Sequence, residues 1–222
     1  MGEHTIAVVG GTGPQGKGLA LHFARAGREV VIGSRSAERA EEAAREIRKR
    51  IGPGGHVRGL DNAAAVQAAG AVLLAVPWDG HKELVRDLAP YLAGKLVISC
   101  VNPLGFDKRG AYGLDVEEGS AAEQTQQLVP DAVVVGAFHH LSAVSLWDAE
   151  GPLEHEDVLV VGDDRDAKEQ VAALAATITG RSGVDGGALR LARQLEPLTA
   201  VLIGINRRYK TRSGVAISGI PA

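Results

Sequence analysis

The sequence predicts a doubly wound α/β fold of the Rossmann type, with a mostly parallel sheet and a small C-terminal helical or α+β part, and three observations predict it. The run Thr5 to Val9 is short, apolar and rich in β-branched residues, and it passes into Gly11-Thr12-Gly13-Pro14-Gln15-Gly16, a G-x-G-x-x-G loop. An Ala/Leu-rich stretch, Lys17 to Ala26, follows, with Gly27 placed to end it and a second strand-like run, Glu29 to Gly33, beyond. Strand, glycine loop, helix and strand is the order of a dinucleotide-binding βαβ unit. After it the chain keeps alternating short apolar runs with helical stretches, the rhythm of a parallel sheet with right-handed crossovers.

Each element has its own reason. The loop needs glycine in three ways: for the tight turn, for backbone to approach a pyrophosphate, and for helix to pack close to strand. Open amides at the helix N-terminus then face phosphate. Ala37 to Ile51 reads as an Ala/Glu/Arg helix closed by Gly52-Pro53-Gly54-Gly55, where a helix cannot continue. Val57 to Leu60 is a short strand, Asn62 to Ala69 a short helix, and Ala71 to Val76 a continuous apolar strand of the kind buried on both faces. Pro77-Trp78-Asp79-Gly80 turns into a helix over His81 to Leu92, and Lys95 to Val101 is another buried strand. Phe106 to Glu118 shows no clear period and reads as a loop, a candidate lid. Ser120-Ala121-Ala122-Glu123 is a capping box opening a helix that Val129-Pro130 ends. Ala132 to Phe138 and Asp157 to Gly162 read as strands, Asp166 to Thr179 as a helix and Val184 to Gly187 as a turn. Leu189 to Ile205 is a long apolar segment, expected to pack on the first domain or on a second subunit. The expected division is 1–142 for a dinucleotide-binding domain and 143–222 for a smaller domain that completes the cleft.

Composition excludes several function classes. With 222 residues and a net charge of −3, nothing points to nucleic acid. The single cysteine, Cys100, rules out a disulfide framework and suits a reducing cytoplasm. A strand begins within a few residues of Met1 and no apolar run nears membrane-spanning length, so the expectation is a soluble protein without signal peptide or membrane span.

The end of the second strand is the next informative place. About 20 residues past the glycines an NAD-binding chain usually carries Asp or Glu for the ribose 2′-hydroxyl. Here stand Ser34 and Arg35, with Arg39 one helical turn later. Cations in a helix's first turn oppose its macrodipole unless an anion joins them, and a 2′-phosphate would be that anion. NADP(H) is therefore expected over NAD(H). Ligands in open α/β sheets lie beyond the carboxyl ends of strands, which places Val76, the Pro77 to Gly80 turn, Asn102, and the His139-His140-Leu141-Ser142-Ala143 run along the crevice. Trp78 serves equally as cofactor wall or as ordinary packing. No metal is expected, because the His and Cys residues lack ligand spacing. His139 and His140 have no visible acid or base partner, so a positioning role and a structural role both stand. The basic end, Arg207, Arg208, Lys210 and Arg212, reads as a solvated tail or as contact for an acidic substrate.

The pieces G-G-T-G-P-Q-G-K-G-L-A, G-S-R followed by Arg39, V-P-W, F-H-H-L-S-A and the G-V-A-I tail resemble NADPH-dependent reductases of the deazaflavin coenzyme F420. That resemblance runs over most of the chain. It implies reversible hydride transfer between NADP(H) and coenzyme F420 in a homodimer. It also implies NADP contacts at Thr12, Gly13, Pro14 and Gln15 for the phosphates and at Ser34, Arg35 and Arg39 for the 2′-phosphate. Val76, Gly80, Asn102, Ala143 and Val215 complete the cleft by the same analogy, and His139 with Leu141 touches the deazaflavin. No residue is expected to be an essential acid or base, since both reacting atoms belong to cofactors. An NADP-dependent dehydrogenase or imine reductase on a small substrate, and a non-enzymatic NADP(H) sensor, are the alternatives these motifs leave open.

Overall fold

The computed structural model describes residues 5–220. Its chain runs β1 (Thr5–Val9), α1 (Pro14–Arg25), β2 (Glu29–Ser34), α2 (Ala37–Ile51), β3 (Val57–Asp61), α3 (Asn62–Gln67), β4 (Ala71–Leu74), α4 (His81–Leu92) and β5 (Leu96–Ser99). A hairpin of β6 (Leu104–Asp107) and β7 (Gly110–Gly113) follows, then α5 (Ala121–Leu128), β8 (Val133–Gly136), α6 (Ala143–Asp148), β9 (Leu159–Gly162), α7 (Arg165–Thr179), β10 (Val184–Gly187), and, after a short 3-10 turn, α8 (Ala192–Tyr209). Eight strands form one sheet in the order β10-β9-β8-β5-β4-β1-β2-β3. All neighbours are parallel except β8 and β9, which are antiparallel. The expected boundary at residue 142 falls inside this continuous sheet, because β9 and β10 extend it.

The strands are apolar throughout because both faces are covered. Ile6 and Val8 of β1 point into one core with α1, α2 and α7, whereas Ala7 and Val9 point into a second with α3, α4 and α5. Local capping fixes where helices begin: Ser36, Asp61, Ser120, Ser142 and Asp164 each accept a backbone amide of the turn they open, which satisfies donors the helix cannot. On α8, the buried Glu196 carboxylate accepts from Ala121 N at 2.8 Å and Ala122 N at 3.0 Å, docking the start of α5 against the last helix.

Two expectations need correcting. Residues 106–118 do not form one irregular loop, since the stretch opens with the hairpin β6–β7. The Asp107 carboxylate accepts from Arg109 N at 2.7 Å and Gly110 N at 3.1 Å and closes the turn. Gly113 of β7 faces Pro197 of α8, so a helix 80 residues away supports a strand pair that has no apolar alternation of its own. Val184 to Gly187 is an edge strand on β9, with a register shift between Asp185 and Gly187, and not a free turn. Its Asp and Gly residues are turn formers. Pairing with β9 overrides them, helped by the Lys168–Asp185 bond at 2.7 Å.

Candidate functional site

At the carboxyl edge of β1, β2 and β4 a cleft of about 340 Å³ opens. Thr12, Gly13, Ser34, Arg35, Arg39, Val76, Asp79 and Gly80 line it, as do Gly10 and Asn62, which the motif reading did not single out. Gly10 has φ +80°, and a Cβ there would press on the Ala75 carbonyl and lie 2.8 Å from Val76 Cγ1, so the turn out of β1 excludes a side chain. Gly13 differs: a Cβ there would come no closer than 3.3 Å to Gly10 O. Protein packing demands little of Gly13, and the space it leaves belongs to the cleft. Gly13 also precedes α1, which starts with Pro14 and has no side-chain cap. Its first amides therefore keep their donors for an anion.

Across the cleft, Ser36 caps α2 by accepting from Arg39 N at 3.3 Å. Arg35 and Arg39 are exposed, and among the described residues neither pairs with a carboxylate. Two unpaired guanidiniums beside an uncapped helix N-terminus favour an anion at that end of the pocket, with the Asp79 carboxylate elsewhere on its lining. A larger hollow of about 640 Å³ lies at the opposite edge of the sheet, among Ile6, Lys95 and Val133. Strand amino ends border it, so it lacks the geometry in which this fold binds ligands.

Pro14, Lys17, Ala143 and Trp147 line a neighbouring hollow of about 250 Å³ that shares Thr12 with the cleft. Helix α6 is held there by α1: His22 Nε2 donates to Leu146 O at 3.0 Å and Arg25 Nη1 to Ala149 O at 2.6 Å. Trp78 stacks on His81, with centroids 5.4 Å apart, and packs against the core under the cleft.

Beyond β5 and β8 the remaining expected site residues gather. Phe138 has φ +66°, a left-handed conformation that costs a non-glycine residue about 1–2 kcal/mol. It is buried edge-on against Phe23 at 5.9 Å. Gln15 Nε2 donates to Phe138 O at 3.2 Å, and Asn102 Nδ2 donates to His139 O at 3.2 Å. Gln15 thus spends an amide proton on β8's end, and Asn102 keeps its buried Oδ1 without a partner. His139 and Leu141 are only 4% and 5% exposed, and neither lines the open cleft. Both ring nitrogens of His139 are buried without partners. Burial, and then the neighbouring His140, push its pKa down to about 3. It is a neutral imidazole at any working pH. His140 Nε2 donates to Leu195 O at 2.7 Å. Val215 lies on the C-terminal segment, where its carbonyl accepts from Asp157 N at 2.7 Å, at the entry to β9 and outside the cleft. Among the described residues no group of three or more His, Cys, Asp or Glu converges as metal ligands would.

Comparison with known proteins decides the family. A family model described as NADP oxidoreductase coenzyme F420-dependent matches residues 5–103. The F420-dependent NADP reductase of Methanocaldococcus jannaschii is 37% identical over 97% of this chain and 98% of its own length. The chain belongs to the F420-dependent NADP reductase family. The Methanothermobacter marburgensis member is 38% identical over 97% of this chain and 99% of its own length. A solved structure from Arthrobacter sp. FB24, described as an F420-dependent NADP reductase, superposes with a TM-score of 0.78 at 29% identity, covering 96% of this chain and 99% of that one.

For this member of the reductase family, the cleft residues legible in the sequence are those of the glycine loop, the end of β2 and the turn from Val76 to Gly80. Those that sequence reasoning missed are of two kinds. Gly10 stands beside the G-x-G-x-x-G frame, and the doubled glycine was its only signal. Thr199, whose Oγ1 donates to His139 O at 3.1 Å, sits 60 residues from its acceptor, and nothing local announces it.

Proposed function

We propose that the protein catalyses reversible hydride transfer between NADP(H) and the deazaflavin coenzyme F420. Similarity to F420-dependent NADP reductases over nearly the whole chain carries this reading, and the cleft fits the nucleotide half. Thr12, Gly13, Pro14 and Gln15 surround the pyrophosphate at the uncapped start of α1, where the Gln15 main-chain N–H is open to donate, Pro14 has none, and Gly13 leaves room. Ser34, Arg35 and Arg39 receive the 2′-phosphate, and Val76, Gly80 and Ala143 border the path toward the nicotinamide. The two cofactors supply the hydride donor and acceptor atoms themselves. The protein's work is to hold two rings at near-attack distance and keep water out. Asn102 and Val215 complete the NADP(H) side of the cleft in this reading, and His139 with Leu141 forms the deazaflavin side, where the His139 carbonyl is held by Asn102. In this reading residues 1–142 bind NADP(H), and residues 143–222 complete the cleft and the assembly.

The test mixes purified protein with NADPH and oxidised coenzyme F420 and follows the deazaflavin's visible absorbance, with NADH and FMN as controls. Fast bleaching with NADPH, slow bleaching with NADH and none with FMN is the expected result. No bleaching by protein that binds NADPH would defeat the proposal. His139 is a neutral, buried positioning group, so His139→Asn keeps turnover within about tenfold of wild type, short of the roughly 10²–10⁴-fold that loss of a general acid or base costs. Abolished turnover in a folded variant would show a chemical role instead.

Homodimer formation belongs to the same proposal. Val201, Ile205 and Tyr209, spaced one helical turn apart on α8, are 55%, 36% and 70% exposed, an apolar stripe left uncovered among the described residues. Val201→Glu is expected to halve the mass measured by light scattering; an unchanged mass would put the interface elsewhere. No helix among the described residues is long and apolar enough to cross a membrane. A reducing cytoplasm is the location we assign, and the single cysteine, Cys100, which allows no disulfide framework, supports it.

A further inference from the structure

The segment Phe138 to His140 leaves the end of β8 in a conformation that its own residues disfavour. Phe138 is left-handed at φ +66°, so the chain turns sharply there, and the carbonyls of 138 and 139 face no neighbouring strand. Side chains from three separate elements hold them. Gln15, in the first turn of α1, donates to Phe138 O at 3.2 Å. Asn102, just past β5, donates to His139 O at 3.2 Å, and Thr199, on α8, donates to the same oxygen at 3.1 Å. A carbonyl oxygen has two lone pairs, so these two donors satisfy His139 O fully. His140 adds a fourth tie, Nε2 to Leu195 O at 2.7 Å, on α8 again.

Strain of this kind persists only where surrounding contacts over-determine it. Here the contacts are the four ties and the Phe23–Phe138 edge contact. In the strand order, β8 lies beyond β4 and β5 from the cleft of Arg35 and Arg39. A shift of Phe138 to His140 therefore moves the acceptor side of the site and leaves the end of the cleft at Arg35 and Arg39 in place, with the Gln15 bond to Phe138 O the one tie to the start of α1.

We propose that Thr199 is a positioning residue for the acceptor half of the site: its hydroxyl, with Asn102, fixes the His139 carbonyl and so keeps the strained turn at Phe138 in the shape the acceptor ring lies against. This inference rests on the hydride-transfer reading above. Thr199 touches neither reacting ring; it acts through the backbone of His139.

The test compares wild type, Thr199→Val, Thr199→Ala and Thr199→Ser by NADPH titration, by steady-state reduction of coenzyme F420 and by thermal melting. Valine keeps the shape and removes the donor, alanine removes the donor without the second branch, and serine keeps the donor. The expected result is a KM for coenzyme F420 raised about tenfold in the valine and alanine variants. Their Kd for NADPH stays within about twofold of wild type, and serine restores the KM. A coenzyme F420 KM unchanged in valine and alanine, or a loss of NADPH binding and thermal stability as large as the KM effect, would overturn the inference while wild-type turnover keeps the function standing. A serine variant that behaves like valine would overturn it too. Absence of turnover in wild type would remove the hydride-transfer reading and this inference with it.

Discussion

Replacing Arg35 and Arg39 together with alanine weakens NADPH binding by on the order of hundreds-fold and leaves NADH binding nearly unchanged. Both guanidiniums line the cleft, both are exposed, and neither pairs with a carboxylate among the described residues. Their charge is therefore uncommitted before the ligand arrives. A charge-assisted hydrogen bond contributes roughly 1.5–3 kcal/mol. Solvent screening at this open site favours the low end, and two bonds at that level give about 3 kcal/mol, a factor of somewhat over one hundred. Stability should hardly change, because the free protein loses no contact and α2 loses an unfavourable cation from its first turn. Fluorescence titration with NADPH and NADH at low and high salt reads the effect. If both affinities fell together, the arginines would be gripping something common to the two cofactors and the NADP reading of β2's end would be wrong.

Lowering the pH from 7 to 5 is expected to destabilise the fold steeply. His22, His81, His139 and His140 are all buried, and burial, the largest cause in each, lowers their pKa from the usual value. In the unfolded chain they take up protons near pH 6.5. The unfolded state then holds more protons than the folded one, so the stability present above about pH 6.5 is lost as pH falls. For His139 the loss continues until about pH 3. Two carboxyls work the other way: burial raises Glu196 to about 7 and raises Glu156 as well. Their contribution is present at low pH and fades as pH rises above the ordinary carboxyl range, for Glu196 up to about 7. Each fully unbalanced group contributes about 1.4 kcal/mol per pH unit. Four histidines oppose two carboxyls, so the net balance runs toward loss of stability as pH falls, against a total stability of roughly 5–15 kcal/mol. Below about pH 4.3, Glu118 adds to the loss, since Lys82 and Gln124 hold its carboxyl down at about 2. Urea midpoints measured from pH 8 to 5 should fall throughout the lower half of that range. A flat profile would mean that these imidazoles reach water in the native state.

Much of the fold could be read in advance because its signals are local. The bounds of α2 and α4 follow from Ser36 and Gly80 at their starts and from glycine-rich or apolar ends nearby. The nucleotide half of the site was legible for the same reason: a strand, a glycine loop and a helix N-terminus are contiguous, and Arg35 and Arg39 fall at a position fixed by chain length from that loop. The acceptor half was not. His139 and Leu141 stand at a strand end, where motif reasoning puts them, yet their side chains turn into the core, and the backbone that Gln15, Asn102 and Thr199 hold is that of Phe138 and His139.

By itself, then, the sequence determined the parallel α/β framework, the uncapped start of α1 and the cationic end of β2, since each depends on residues within one turn or one strand of each other. Only the tertiary structure decided the hairpin under α8, the edge strand made from Val184 to Gly187, and the left-handed turn at Phe138. In each of these the local preference is weak or adverse, and the free energy that reverses it comes from hydrogen bonds and packing supplied by residues far along the chain.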